Sequence, residues 1–167
     1  DHKAAAARSF FVDLLGSTSR VDTAFRWQEL GLPVAELQEL ELPFLSDEIR
    51  AAIADLPADR APGPDGFCGS FYKASASTIV PDLLLAFQQL FQRNRSGLHL
   101  LNVGHIFLLP KHDGASAMTD FRPICLLHSV GKLFMKVLAM RLARKLDELI
   151  SPSQSAFLKG RCIQDNF

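Results

Sequence analysis

Apolar side chains recur along most of the chain at helical spacing, and in one stretch the period shortens to that of extended strands. From Lys3 to Leu15, helix formers carry Phe10, Phe11, Leu14 and Leu15, and Gly16 follows as a stop, which predicts a helix. Ser46 is the expected cap of a second, short helix. It has Asp47 and Glu48 in its first turn, where the dipole favours acids, Ile49, Ala52, Ile53 and Leu56 on one face, and Pro57 at its end. The segment Ala61-Pro62-Gly63-Pro64-Asp65-Gly66 cannot be regular structure, because its prolines fix φ and remove donors while its glycines admit positive φ, so a shaped turn is expected. Phe67 to Ala76 reads as a short helix. Val80 to Arg95 reads as a longer one, with Pro81 near its start, Leu84, Phe87, Leu90 and Phe91 inward, and Gly97 beyond its end.

Val103 to Leu109 and Phe121 to Leu127 are short runs rich in β-branched and aromatic residues, separated by the polar loop Lys111 to Asp120; they predict a hairpin. Ser129 is the expected cap of a helix running to about Ile150, with Val130, Leu133, Phe134, Val137 and Leu138 on its opening stripe and Ser151-Pro152 as its stop. Leu142, Leu146 and Leu149 drift off that stripe, which predicts burial on more than one side. The expected class is therefore α+β, mainly helical, with a short β-hairpin.

Composition adds that the chain is globular: 48% of its 167 residues are apolar and 22% charged, enough to exclude a disordered tail, and the length suits one core. Thirteen Phe beside one Trp and one Tyr point to rings that fill a core. The net charge is zero, but residues 1–92 hold 7 basic and 13 acidic side chains and residues 93–167 hold 11 and 5. Either the second half offers a positive surface to phosphates, or the halves pack and their charges pair across the seam. Cys68, Cys125 and Cys162 have no metal-ligand or disulfide spacing, and the five histidines form no close cluster, so no transition-metal site is expected. No leader and no apolar run of roughly 20 residues is visible, which predicts no membrane span and an intracellular protein, nuclear or cytoplasmic.

The candidate chemistry lies at the hairpin. Lys111 and Arg122 stand at the loop-proximal ends of the two arms, and a compact ammonium beside a guanidinium fork makes a receptor for a triphosphate; solubilising surface charges are the alternative reading. The turn Pro62, Gly63, Pro64, Asp65 and Gly66 lacks the Gly-Lys-Ser/Thr ending of a phosphate-binding loop and reads as a rigid linker. Lys132, Lys136, Arg141, Arg144 and Lys145 do not share one face of their helix. No carboxylates are visibly arranged for two-metal chemistry, and there is no nucleophile elbow.

The ordered set Leu42-Pro43-Phe44, Glu48-Ile49, Arg60-Ala61-Pro62-Gly63-Pro64-Asp65-Gly66-Phe67, Phe71-Tyr72-Lys73, Leu108-Leu109-Pro110-Lys111, Asp120-Phe121-Arg122-Pro123-Ile124, Lys136-Val137-Leu138-Ala139 with Arg141-Leu142, Gln154-Ser155-Ala156-Phe157, Gly160-Arg161 and Asp165-Asn166 resembles LINE-type (non-LTR) retrotransposon reverse transcriptases, especially those of plants. The resemblance implies a right-hand polymerase, with residues 1–60 as an amino-terminal helical extension and 61–167 as the fingers region, cut off before the palm. It implies RNA-directed DNA polymerase activity (a nucleotidyltransferase) for the full-length enzyme, with an RNA template, a DNA primer, a deoxynucleoside triphosphate and Mg²⁺. Lys111 and Arg122 match the family's triphosphate contacts, Gln154 and Arg161 its template and nucleotide pocket, and the Pro62 to Gly66 turn a structural brace. Arg60 and Cys125 depart from the Lys and Ser common there. The metal-binding aspartates would lie beyond Phe167, and Asp165 belongs to a preceding motif, so no catalytic residue, no bound metal and no activity are expected of this fragment alone. The other readings are a nucleic-acid-binding module without catalysis and an inactive transposable-element remnant with exposed apolar surface and poor solubility.

Overall fold

A computed structural model describes residues 2–16, 26, 29, 31, 35–92, 101–151, 153–155, 158, 160–162 and 164. The elements are α1 (His2–Leu15), a 3-10 turn (Gln38–Glu41), α2 (Ser46–Ala54), α3 (Gly69–Phe91), β1 (Gly104–Pro110), a 3-10 turn (Met118–Asp120), β2 (Phe121–Leu127), α4 (Ser129–Ala143) and α5 (Leu146–Leu149). Contacts group them into two bodies, Ala35–Ile106 with Cys125–Phe167, and Asp1–Val34 with Phe107–Ile124. In the latter body, α1 ends where expected: Gly16 adopts φ 70° and its N–H donates to the Val12 carbonyl at 3.0 Å.

Three boundaries differ from the sequence expectations. The residue before α2 is Leu45 and Ser46 is already helical; Glu48 reaches back to accept the Leu45 N–H at 2.9 Å, the return half of a capping box, and no side chain takes the place of the expected hydroxyl. The two helices expected on either side of residue 80 are one helix, α3, with Pro81 inside it. A proline in a helix interior costs about 3 kcal/mol, whereas burying a large apolar side chain is worth about 1.5–3 kcal/mol each. The inward stripe of α3 continues through Val80, Leu83 and Phe87, so continuity outweighs the break. The extension of this helix to Arg95 and its stop at Gly97 lie outside the described residues.

The helix expected from Ser129 to Ile150 stops at Ala143. There the Arg144 N–H bonds the Arg141 carbonyl at 3.2 Å and the Lys145 N–H that of Leu142 at 2.9 Å, tightening the chain to three-residue steps before the single turn of α5. The burial expected on a second flank does not occur among these residues, since α4 buries only Leu133, Val137 and Arg141, and Leu142 and Leu149 are exposed.

The core lies where α2, α3 and α4 meet, built from Phe44, Ile49, Ala52, Ile53, Tyr72, Val80, Leu83, Phe87, Leu133 and Val137. Phenylalanine fills it edge to face: Phe44 lies 6.0 Å from Phe87, 5.1 Å from Phe91 and 5.7 Å from Phe134. Arg141 continues the inward stripe of α4 and is only 7% exposed. Its guanidinium spends its donors fully: Nε and Nη2 bind the two Glu48 carboxylate oxygens at 2.7 Å each, Nη1 the Leu42 and Leu40 carbonyls at 2.6 and 3.3 Å, and Nη2 the Pro43 carbonyl at 2.8 Å. Its carbon lies 4.4 Å from the centre of the Phe44 ring. Lys136 pairs with Asp55 at 2.6 Å and Lys145 approaches Glu39 at 3.6 Å. For these three cations of the basic half, the charges do pair across the seam.

The Arg141 side-chain hydrogen bond, followed by the backbone bond from Leu45, holds the Glu48 carboxyl below its ordinary value against the opposing effect of burial. A depressed folded value means that the stabilisation is complete above the unfolded carboxylate range and is lost as pH falls through the folded one. In thermal melts from pH 7 to pH 3, Glu48→Gln is expected to start lower than the parent and to lose less on acidification; parallel curves would contradict the pairing. Arg141→Ala, which removes the buried partner of a half-buried carboxylate and of three carbonyls, is expected to cost about 3–5 kcal/mol.

Candidate functional site

β1 and β2 form a two-stranded sheet. The Lys111 N–H donates to the Asp120 carbonyl at 2.8 Å, one pair beyond the strand ends, and this sets the register. Continued along the ladder, it puts Leu109 across from Arg122, Phe107 across from Ile124 and Leu108 across from Pro123. Lys111 and Arg122 thus project to the same face of the ribbon as diagonal neighbours, a separation that long side chains bridge. Pro110 and Pro123 fall at positions whose nitrogen faces away from the partner strand, so neither costs a ladder bond.

Arg122, Phe107, Leu109 and Ile124 are exposed on that face. The Lys111 ammonium donates to the Thr119 carbonyl at 2.6 Å. The loop between the arms is closed by Asp120, whose carboxylate accepts the N–H groups of Ala117 at 2.9 Å and Ser116 at 3.2 Å and lies 3.7 Å from the His112 ring. The Ala117 and Ser116 bonds hold its carboxyl below the usual range, with His112 adding to the effect.

The Pro62 to Gly66 turn closes with a Gly66 N–H to Gly63 carbonyl bond of 3.0 Å, with Pro64 in the position where its fixed φ suits the bend. Asp65 uses one carboxylate oxygen to accept the Phe67 N–H at 3.3 Å and the other to accept the Ser129 N–H at 2.6 Å. The Ser129 hydroxyl donates to the Phe67 carbonyl at 2.8 Å. Ser129 is therefore the first residue of α4 rather than its cap, and the acid that satisfies the helix start comes from 64 positions away. His128 stands 3.8 Å from the same carboxylate. Gly63 packs so closely on the end of β2 that a Cβ there would run into the Leu127 carbonyl oxygen. Beside the turn, Phe67 stacks on Phe71 at 4.3 Å, and burial, aided by the Asp65 charge, pushes the Tyr72 hydroxyl up to about 12.

Gln154 and Arg161 are brought together in the segment after α5. The Arg161 guanidinium binds the Ser151 and Gln154 carbonyls at 2.8 Å each and Asp147 at 2.9 Å, so it ties that segment to itself, while the Gln154 residue is exposed.

No protein-family profile matches the chain. Across 163 residues, 96% of its length, it is 31% identical to the Transposon TX1 uncharacterized 149 kDa protein of Xenopus laevis. Across 158 residues, 93% of its length, it is 28% identical to the Retrovirus-related Pol polyprotein from type-1 retrotransposable element R1 of Bradysia coprophila. The chain belongs among the proteins of non-LTR retrotransposons. It spans 12% of the first relative and 15% of the second.

In this retrotransposon chain, the roles of Asp120 and Arg141 carry little signal in the sequence. Asp120 flanks the loop and opens the Asp120-Phe121-Arg122-Pro123-Ile124 motif, and Arg141 is one of several helix cations and heads Arg141-Leu142; only their partners show that one closes the hairpin loop and the other anchors the core. Paired Mg²⁺ ions require converging carboxylates. Among the described residues no three His, Cys, Asp or Glu side chains come together to hold an ion, and Asp165 lies outside them. No helix among the described residues is long and apolar enough to cross a membrane.

Gly63→Ala is expected to destabilise the retrotransposon chain by roughly 1–3 kcal/mol through overpacking against backbone, and Asp65→Ala by about 0.5–2 kcal/mol through loss of the remote cap. Urea unfolding checks both; a Gly63→Ala variant as stable as the parent would refute the close packing.

Proposed function

We propose that this chain is part of a retrotransposon reverse transcriptase, an RNA-directed DNA polymerase, and that its hairpin, as part of the fingers, grips the phosphates of the incoming deoxynucleoside triphosphate. The supporting observation is the shared face of Lys111 and Arg122 at the loop end of one hairpin, in a chain related to a retrotransposon Pol polyprotein. The chemistry suits the ligand. An ammonium has three donors, and with one engaged by the Thr119 carbonyl two remain for phosphate oxygens. The exposed Arg122 fork can bind two oxygens at once. Phe107, Leu109 and Ile124 give the same face apolar area against which the less polar part of a nucleotide can rest.

Gln154 and Arg161 take the template side of this reading. Arg161 orders the segment and the exposed Gln154 amide meets the nucleic acid. RNA template and DNA primer are then the macromolecular partners. In this reading the chain binds and orients the nucleotide, and metal-assisted transfer belongs to carboxylates outside this hairpin.

Titration of a fluorescent deoxynucleoside triphosphate tests the reading. Lys111→Ala and Arg122→Ala are each expected to weaken binding about tenfold or more, as removal of a charge-assisted hydrogen bond does, and added salt should weaken the parent more than either variant. Parent-like affinity in both variants would end the proposal. Nucleotide incorporation on a primed RNA by the 167-residue chain would show that it does more than bind.

A further inference from the structure

The tether on Lys111 has a geometrical cause. The Thr119 carbonyl and the Asp120 N–H are the two poles of one peptide unit, and they point in opposite directions. The N–H pole is fixed by its 2.9 Å bond to the Ala117 carbonyl. The Asp120 carboxylate closes the return path by accepting the Ala117 N–H at 2.9 Å and the Ser116 N–H at 3.2 Å. Ala117 and Asp120 therefore hold each other by a reciprocal pair of bonds, and the carbonyl pole is left facing the Lys111 ammonium at 2.6 Å. The main chain of Lys111 is pinned to the same residue, through its N–H on the Asp120 carbonyl.

We propose that Asp120 is a positioning residue for the phosphate-binding cation: it sets the Thr119 peptide, and the Thr119 carbonyl holds the Lys111 ammonium on the ligand face. The inference rests on the phosphate reading of Lys111. A four-carbon stem left free spreads its charge over many rotamers; a stem tied at its tip presents the remaining donors in one place, and binding then has less freedom to remove. The Asp120 charge does not cancel the effect, because two N–H groups and the neighbouring His112 ring already face it.

Two measurements on the 167-residue chain separate this from a purely structural role and from failure of the phosphate reading. The first uses no ligand. The rate at which an amine-reactive ester acylates Lys111, read by mass spectrometry against the other lysines, is expected to rise in Asp120→Ala. It should return towards the parent in Asp120→Asn, because both loop N–H groups bond one oxygen, Oδ2, and a single amide oxygen can still accept them. An unchanged rate in Asp120→Ala overturns the proposal whatever binds.

The second is triphosphate affinity in a double-mutant cycle. Asp120→Ala is expected to weaken binding about fivefold in the parent and not at all in Lys111→Ala, the non-additivity of residues sharing one network. Equal losses in both backgrounds overturn the proposal. Faster acylation in a chain that binds no triphosphate refutes the phosphate reading and leaves the tether standing. The Asp120→Asn variant keeps the test decisive if the alanine variant unfolds.

Discussion

A guanidinium on the inward face of a helix must be given its acceptors inside the protein, because an unpaired buried charge costs more than most single contacts return. Arg141 meets that requirement by gathering a helix and an irregular strand of backbone around itself. Glu48 comes from α2, and the carbonyls of Leu40, Leu42 and Pro43 come from a segment with no sheet partner. Those carbonyls need donors as much as the guanidinium needs oxygens. The exchange fixes where Phe44 enters the core, and Phe44 is the ring against which Phe87, Phe91 and Phe134 are arranged.

With α4 held at its carboxyl-terminal end by Arg141, its amino-terminal end is set by the Pro-Gly-Pro-Asp-Gly turn. Asp65 satisfies the first N–H of the helix while Gly63 lies against the last residue of β2. One short turn therefore locks the junction between strand and helix, and with it the root from which β2 departs. The chemistry of the ribbon is separate from this brace: the brace has no free polar group to offer a ligand on its carboxylate, while the loop end of the ribbon carries cations on its surface.

Most elements were legible because their signals are local. The hairpin arms announced themselves by β-branched and aromatic runs around a polar loop, and β2 covers the very residues expected, Phe121–Leu127. Pro81 misled because a proline's cost is visible in the sequence and the burial that outweighs it is not. Ser129 was misjudged as a cap, and the role of Arg141 was not visible, for a related reason: their partners lie 64 and 93 positions away, beyond any window of periodicity. Hairpin pairing alone puts Lys111 and Arg122 on one face, but the Thr119 carbonyl that restrains Lys111 was not legible, since no side-chain pattern encodes a backbone acceptor.

The two prolines of the ribbon have an effect that reaches outside the molecule. A two-stranded sheet has two open margins, and on each a row of unused amides invites a further strand from another copy. Pro110 and Pro123 delete a donor from each margin, in the same ribbon that displays Ile106, Phe107 and Leu109 to solvent. Each margin is thereby a poorer template for cross-β growth beside the apolar side chains that the ribbon exposes.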